Sequence, residues 1–261
     1  MPACSARPRS RRRTPACRCD AVAVSHARPA PRFHAYAEAA DWVHGACGDI
    51  AGLLADALAM QPLARLLLSG GTTPAPVYRA LAREQLDWAR VQLALVDERW
   101  LPPGDADSNG RLVADALLQD AARAAHFEPM LQSGQSLADA VRAADSAARA
   151  GAPGAIAVLG MGPDGHTASL FPGMRDFDAA LAADDDVLAV DAQGCPVAGA
   201  WHERLTLSPR ALARAAQRVL LIRGDAKRAL FERALAGDDA RELPVRLALE
   251  GSTPLRVHWC P

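Results

Sequence analysis

From Phe33 onward, short apolar runs alternate with segments in which apolar residues recur at helical spacing. This alternation is typical of a mostly parallel sheet with helices on both faces, because a helix usually connects one parallel strand to the next. No internal repeat and no linker interrupts the pattern. The sequence therefore predicts an α/β fold in which residues 33–261 form a single domain.

Two kinds of pattern locate the predicted elements. Residues 37–60 carry apolar side chains at i, i+3 and i+4, from Trp42 to Leu58, which indicates an amphipathic helix. Ser208 followed by Pro209 is a typical N-cap and first helical residue. The further helices are expected to start near Pro74 and to span residues 108–119, 136–150, 209–216 and 225–236. Strands are expected at residues 65–71, 91–97, 155–161, 186–192, 218–224 and 255–259.

The first 32 residues differ in composition from the rest of the chain. They hold eight Arg and a single acid, Asp20, together with many Pro, Ser and Ala residues. A segment of this kind lacks a continuous apolar face and is expected to be a disordered arm. It also lacks the apolar core of a secretory signal, and its prolines disfavour the amphipathic helix of a transit peptide.

The remaining residues carry 21 basic and 29 acidic side chains, a net charge of −8. A body of this charge repels nucleic acid, so we expect no nucleic-acid partner. No later stretch offers 18 uninterrupted apolar residues, which argues against a membrane-spanning helix and a membrane partner. We expect the chain to act as a monomer or a weak homodimer.

The six cysteines are scattered along the chain, and three of them fall in the arm. They form no CxxC motif, and no His lies at zinc-ligand spacing from any pair, so we expect no metal site. Scattered thiols of this kind are typical of a reducing compartment. The sequence therefore predicts a cytoplasmic protein with reduced cysteines at positions 4, 17, 19, 47, 195 and 260.

Several predicted strands run directly into loops rich in Gly and polar residues, at the carboxyl edge where ligands bind in open α/β sheets. The first of these loops contains Ser69, Gly70, Gly71 and Thr72. Its glycines let the backbone approach a ligand, and free N–H groups at the start of the helix near Pro74 suit a phosphate. A plain strand-to-helix turn capped by Thr is the alternative. The loop matches neither a Walker A motif nor GxGxxG, so a nucleotide is not indicated.

The second loop begins with three consecutive charged residues, Asp97, Glu98 and Arg99. Charges directly after a buried strand are costly unless they pair with one another or meet a ligand. The planar guanidinium of Arg99 suits a phosphate or sugar oxygen, while the two acids suit hydroxyl groups or orient Arg99. A salt-bridged strand end is the alternative interpretation.

The third loop, residues 159–173, places His166 between glycines and polar residues. Histidine at a strand-to-helix junction suits a general base, and Asp164, two residues earlier, is placed to fix which ring nitrogen carries the proton. Gly162 and Gly165 keep the loop open to a ligand. A lone His is more often a structural residue, but this setting favours catalysis.

Two further cations stand at loop edges. Lys227, the only lysine in the chain, starts a helix after the predicted strand at 218–224. A compact ammonium differs from a guanidinium in reach and hydration, which suggests a specific use for it, although chance explains one exposed Lys equally well. Arg204 in the segment RLTLSP is a weaker candidate for the same site.

A resemblance to a known family rests on four segments: SGGTTP, DERW with DADSN, GMGPDGHTASLFPG, and RLTLSP with GDAK. In kind, order and spacing they resemble 6-phosphogluconolactonases of the pentose phosphate pathway, over about residues 69–227. The resemblance implies a doubly wound, Rossmann-like fold shared with glucosamine-6-phosphate deaminases and ribose-5-phosphate isomerases. It also implies no metal or organic cofactor, a sugar phosphate as the small-molecule partner, and hydrolysis of 6-phosphogluconolactone to 6-phosphogluconate.

Within this resemblance the family's general base falls on His166. Trp100 stands where the family tolerates aliphatic residues, which changes the wall of the pocket. The implied phosphate and sugar contacts and their polar supports are residues 69–74, Asp97, Arg99, Asp164, Arg204 and Lys227.

Two alternatives remain at this point. The related deaminases carry a Glu five residues after this His, for ring opening and proton relay, whereas this chain carries Phe171 there. An apolar ring cannot take up a proton, so the position favours hydrolysis. A non-catalytic sugar-phosphate sensor on the same fold would need an output module, and the 32-residue arm is too short and Pro-rich for a helix-turn-helix.

Overall fold

The computed structural model describes residues 28–261 as alternating strands and helices. The strands are β1 (Arg32–Ala35), β2 (Ala64–Leu68), β3 (Val91–Leu95), β4 (Asp97–Arg99), β5 (His126–Glu128), β6 (Ile156–Gly160), β7 (Val187–Asp191), β8 (Glu203–Leu207), β9 (Gln217–Arg223) and β10 (Arg256–Cys260). The helices are α1 (Ala39–Met60), α2 (Ala75–Leu81), α3 (Asn109–Ala116), α4 (Leu137–Ala150), α5 (Phe177–Ala182), α6 (Pro209–Ala213) and α7 (Asp225–Leu235). Short 3₁₀ turns lie at Trp88–Arg90, Asp120–Ala124, Pro196–Ala198 and Pro244–Leu249.

The main sheet has seven strands in the order β1-β10-β9-β6-β2-β3-β5, and every neighbouring pair is parallel. Its central strands are buried along almost their whole length, as expected for a parallel sheet covered on both faces. The predicted α/β fold is confirmed. All six predicted strands are present, but β7 pairs antiparallel with β8 in a separate sheet of order β4-β8-β7.

Four strands and one helix were not predicted: β1, β4, β5, β8 and α5. Three of the four residues of β1 are exposed, and β5 is only three residues long, because both strands lie at edges of the main sheet. β4 consists of the charged residues Asp97, Glu98 and Arg99, whose polarity hides an extended segment from a pattern of apolar residues. Short strands at edges carry too few buried side chains to give a periodic signal.

α1 is the longest helix, and its predicted apolar face is buried. Trp42, Ala46, Ile50 and Leu54 are inaccessible to solvent, and the Trp42 indole Nε1 donates to the carbonyl O of His258 at 3.0 Å. By length and composition alone α1 is also long and apolar enough to cross a membrane. Because its buried face packs against α2 and the main sheet, we interpret α1 as a core helix; the absence of a membrane partner stays a prediction.

The predicted arm lies almost entirely outside the described residues, which begin at residue 28. Arg28 pairs with Glu250, and the Arg32 backbone N–H donates to the carbonyl O of Leu255 at 2.8 Å. Arg32 is the first residue of β1, so the sheet starts one residue before the predicted boundary.

Among the described cysteines, Cys47, Cys195 and Cys260 are buried free thiols. The cytoplasmic location stays a prediction.

Serine caps set the starts of three helices. The predicted N-cap at Ser208 is confirmed, since its hydroxyl accepts from the Ala211 N–H at 3.1 Å. Ser136 and Ser108 accept in the same way from Asp139 and Arg111 at 3.2 Å each. Such caps satisfy N–H groups that have no partner within the helix, which fixes where the chain turns from loop to helix.

Candidate active site

A cleft of about 240 Å³ opens at the carboxyl ends of β2, β6 and β9. This is the edge at which the loops after parallel strands converge. The lining residues are Ser69, Gly70, Gly71, Thr72, Thr73, Pro74, Asp97, Arg99, Asn109, Gly160, Met161, Gly162, His166, Ala168, Arg204, Leu221 and Lys227. The cleft therefore brings together every predicted substrate-binding residue and the predicted base, and Asp164 contacts that base from outside the lining.

A larger cavity of about 610 Å³ lies elsewhere, between α4 and one face of the main sheet. Many of its lining residues are alanines, and none of the predicted site residues contributes to it. Small side chains on α4 leave this space unfilled. We place the candidate site in the smaller cleft because its lining carries the cations, the histidine and the free N–H groups that chemistry requires.

The loop after β2 offers several hydrogen-bond donors to the cleft. Within the described chain, the backbone N–H groups of residues 70–73 have no protein partner, and the buried Ser69 Oγ has none either. Gly71 has φ +91°, and a Cβ on Gly70 would lie 1.8 Å from Asn109 Oδ1, so both positions require glycine. Since α2 is only seven residues long, the loop N–H groups rather than a long helix dipole make this a nest for an anion.

The loop after β6 holds a histidine–aspartate pair at the cleft. His166 Nδ1 lies 2.6 Å from Asp164 Oδ1, and the His166 backbone N–H donates to the same oxygen at 3.1 Å. We assign the ring proton to Nδ1, since a carboxylate only accepts, which leaves Nε2 free to accept a proton from the cleft side. Burial raises the pKa of Asp164, but the hydrogen bonds and charge of His166 outweigh burial and hold that pKa below its usual value.

Two backbone positions shape the loop after β6 around His166. A Cβ on Gly162 would lie 2.1 Å from His166 Nδ1, so only glycine lets the ring take this position. Ala168, a non-glycine residue, has φ 50° at the cleft wall. Such a conformation costs roughly 1–3 kcal/mol and persists at functional sites where the surroundings demand it.

Phe171 packs directly against the histidine. Its ring centroid lies 4.4 Å from that of His166, and the guanidinium carbon of Arg204 lies 5.3 Å from the Phe171 centroid. The aromatic ring therefore contacts both the imidazole and a cation. Position 171 thus places an aromatic ring, and not a carboxylate, next to the imidazole.

Three cations face the cleft from separate elements. Lys227, at the start of α7, donates to the Met161 carbonyl; burial lowers its pKa, and the charge of Asp164 partly opposes that shift. Arg99 donates to the Asp107 carbonyl, while its buried Nε has no protein partner in the described residues. Burial likewise lowers the pKa of Arg204, and the charge of Asp97 opposes it. Cations held in a partly dry cleft beside unpaired donors are suited to a multiply charged anion.

Asp97 is fixed by neighbours that the sequence did not single out. Its Oδ2 accepts from Ser169 Oγ at 2.6 Å, and its carbonyl accepts from Asn109 Nδ2 at 2.8 Å. Thr206 Oγ1 in turn accepts from the Ser169 N–H at 3.2 Å. Ser169 and Asn109 both lie within motifs that the sequence highlighted, but which neighbour each side chain meets depends on the packing of separate strands.

Glu98 has a structural task at this edge of the sheet. It is 3% exposed, and its carboxylate accepts four hydrogen bonds of 2.8 Å, from the N–H groups of Arg99, Asn109 and Gly110 and from Ser108 Oγ. Burial raises the pKa of Glu98, and these four donors oppose that shift. Glu98 was expected to bind hydroxyls or to orient Arg99. It instead ties β4 to the start of α3.

Replacing Glu98 with alanine should lower the free energy of unfolding by about 2–4 kcal/mol, because buried donors are left without an acceptor. Urea denaturation followed by circular dichroism measures this loss. Glu203→Ala is the matched control, since Glu203 is an exposed acid in the adjacent strand β8. Equal stability of the Glu98 and Glu203 variants would contradict the assignment.

Within residues 28–261, no group of three or more His, Cys, Asp or Glu side chains could hold a metal ion. The donors of the cleft are instead backbone N–H groups, hydroxyls and cations, which suit an anionic organic ligand. The α/β fold and this cleft are thus those of a candidate enzyme, with a site suited to a small anionic molecule and a histidine beside the unpaired donors.

Comparison with known proteins agrees with that class. Residues 37–259 match the family model of glucosamine-6-phosphate isomerases/6-phosphogluconolactonase. A 6-phosphogluconolactonase of Xylella fastidiosa is 43% identical over 226 residues, covering 86% of this chain and 94% of the relative. One of Rhizobium meliloti is 41% identical over 217 residues, covering 82% and 91%. The chain belongs to the glucosamine-6-phosphate isomerase/6-phosphogluconolactonase family.

Solved structures agree at the level of the fold. The crystal structure of a 6-phosphogluconolactonase from Shewanella baltica has a TM-score of 0.82 and 32% identity, covering 90% of this chain and 99% of that one. A monomeric glucosamine-6-phosphate deaminase, 19% identical, shares the fold with a TM-score of 0.71 over 88% of this chain. The Rossmann-like fold implied by the motifs is therefore confirmed, and it is common to both branches of the family.

Proposed function

We propose that the chain is a 6-phosphogluconolactonase, which hydrolyses 6-phospho-D-glucono-1,5-lactone to 6-phosphogluconate. The observation that carries the proposal is the combination of groups in one cleft. Its lining holds His166, which is paired with Asp164, together with the nest of free N–H groups after β2 and the cations Arg99 and Lys227. Relatives with this name that are 41–43% identical over nearly their full length support it.

We assign the phosphate to the nest and its two cations. The N–H groups of residues 70–73, the Ser69 hydroxyl and Arg99 Nε all lack protein partners in the described chain, so a bound phosphate would satisfy donors that are otherwise unpaired. Lys227 adds a compact charge from α7. Because phosphate offers several acceptor oxygens, it can bind these donors together.

We assign the chemical step to His166. With Nδ1–H held by Asp164, Nε2 removes a proton from a water molecule, whose oxygen forms a bond to the lactone carbonyl carbon. The resulting tetrahedral oxyanion collapses, the bond between that carbon and the ring oxygen breaks, and the ring oxygen receives a proton from the imidazolium. The product carboxylic acid releases a proton at neutral pH, so the reaction acidifies the solution.

Arg204 and Asp97 are proposed to hold the sugar part of the substrate. Arg204 is oriented by carbonyl groups through Nε and Nη2, which leaves Nη1 for an oxygen of the lactone or the oxyanion. Asp97 already accepts from Ser169 and has further acceptor capacity for a sugar hydroxyl. Asp164 is a positioning residue, since it acts through His166.

Two other functions make different demands on the cleft. Deamination and isomerisation of glucosamine 6-phosphate would need a proton-carrying group where Phe171 lies 4.4 Å from His166. A sensor would bind the phosphorylated sugar without turnover and pass a signal to another module. The Phe171 contact favours hydrolysis over the first, and the paired, oriented His166 favours catalysis over the second.

The proposal is tested by pH-stat titration of freshly prepared 6-phosphogluconolactone, compared with its spontaneous hydrolysis. We expect acid release that is faster than the spontaneous rate and proportional to protein concentration. If folded protein gives only the spontaneous rate, the proposal fails. Ammonia release from glucosamine 6-phosphate would then support the deaminase, and binding of 6-phosphogluconate without turnover would support the sensor.

A further inference from the structure

Two loops outside the cleft lining are joined by one side-chain hydrogen bond. The loop after β4 reaches Asp107, and the loop before β8 reaches Trp201, 94 residues further along the chain. The Trp201 indole Nε1 donates to Asp107 Oδ2 at 2.8 Å. We call this pair the Trp201–Asp107 clasp.

Each half of the clasp also holds one of the arginines that face the cleft. Arg99 donates through Nη1 to the backbone carbonyl of Asp107, and Arg204 donates through Nε to the backbone carbonyl of Trp201 at 2.7 Å. A second bond, from Arg204 Nη2 to the Ala198 carbonyl at 2.8 Å, fixes the same loop. The two guanidinium groups thus take their positions from the main chain of the two clasped residues.

Packing alone does not explain why a tryptophan stands at position 201. Its side chain is 39% exposed, so much of its apolar surface remains in water, whereas Trp42 and Trp88 are almost fully buried. The polar end of the indole is the part with a specific partner. A Trp whose N–H is satisfied while its ring is partly wet suits a role in holding the two loops.

We propose that the Trp201–Asp107 clasp is a positioning element for substrate binding, which orients the guanidinium groups of Arg99 and Arg204, two residues whose backbones are paired in the β4–β8 ladder. This inference rests on the proposed function, in which both arginines contact the phosphorylated lactone. If the clasp opens, both arginines stay paired in the ladder, but the loop carbonyl groups that hold their side chains are free to move. Substrate binding then includes the cost of ordering both loops.

The test is a double-mutant cycle in steady-state kinetics with 6-phosphogluconolactone. Trp201→Phe keeps an aromatic ring and removes the N–H donor, and Asp107→Ala removes the acceptor while leaving the backbone carbonyl that Arg99 uses. Because the Trp201–Asp107 bond lies at an exposed position, its loss should cost no more than an ordinary hydrogen bond, and each variant should raise KM by about 2- to 10-fold with little change in kcat. The double variant should match the single variants, because either change opens the same clasp.

Two further variants separate positioning from general loss of structure. Asp107→Asn keeps an oxygen acceptor for the indole and should restore KM to within about twofold of wild type. Trp88→Phe removes another indole N–H, which donates to the Glu84 carbonyl at 3.0 Å far from the cleft, and should lower Tm without changing KM. Circular dichroism and thermal melts confirm that every variant is folded.

The outcomes distinguish this inference from the proposed function. Wild type that fails to accelerate hydrolysis overturns the proposed function. Wild type that is active, with Trp201→Phe and Asp107→Ala at wild-type KM, overturns the clasp alone. Multiplicative KM effects in the double variant, or a loss confined to kcat, also overturn it, because neither follows from one shared bond that positions binding groups.

Discussion

His166→Ala should lower kcat for 6-phosphogluconolactone hydrolysis by about 100- to 10,000-fold, which is the usual contribution of a positioned general base. KM should change little, because the phosphate and sugar contacts assigned above do not involve the imidazole. The measurement is kcat and KM by pH-stat, corrected for spontaneous hydrolysis. This is the largest effect that we expect from any single substitution in the cleft.

Two controls give this prediction its specificity. His202→Ala is the first control and should leave kcat unchanged. His202 also pairs with an aspartate, Asp191, at 3.1 Å, but this pair is partly exposed and does not line the cleft. Asp164→Asn keeps the size of the side chain and removes the carboxylate that holds His166, so its kcat should lie between wild type and His166→Ala. If His166→Ala keeps wild-type kcat, the water must be activated by another group.

Lys227→Ala should raise KM by about 10- to 150-fold, which corresponds to a charge-assisted hydrogen bond of ~1.5–3 kcal/mol. The phosphate is remote from the bond that breaks, so its contact should be equally strong in the ground and transition states and leave kcat unchanged. Lys227→Arg should recover only part of the loss, because a planar fork replaces a compact ammonium that the Met161 carbonyl holds in place.

Arg228→Ala is the matched control for this cation. Arg228 is the next residue of α7, but it pairs with Glu232 at 2.9 Å and does not line the cleft, so its removal should leave KM unchanged. Comparing kcat and KM between the Lys227 and His166 variants is itself a test. An equal loss of kcat in Lys227→Ala and His166→Ala would contradict the division between a binding cation and a catalytic base.

Local chemistry explains why so much of the cleft was predictable. The motifs around Ser69, Asp97, His166 and Lys227 each follow a buried strand, and parallel strands bring their carboxyl ends to one edge. Glycine at positions 70, 71 and 162 is required by close contacts or by positive φ, so the sequence carries that backbone geometry directly. The helix starts at Ser108, Ser136 and Ser208 follow from capping in the same way.

Features that join distant segments were not predictable. The run at 186–192 has the apolar character of a strand, but its pairing with β8 in a second, antiparallel sheet depends on where α4 packs. Glu98 is adjacent to Asp97 and Arg99 in sequence, yet it turns away from the cleft to bind the start of α3. The spacing of residues along the sequence does not show which strand β7 pairs with or which way the Glu98 side chain points.

The sequence by itself determined the alternation of strands and helices, the edge at which ligand-binding loops gather, and the His166–Asp164 pair two residues apart. These depend on local periodicity, on backbone conformation and on short loops, all of which a linear pattern encodes. Only the tertiary structure decided the Phe171–Arg204 stack, the Ser169–Asp97 bond and the Trp201–Asp107 clasp. Those contacts join residues 33, 72 and 94 positions apart, and long-range contacts form only when packing of the whole sheet brings their strands together.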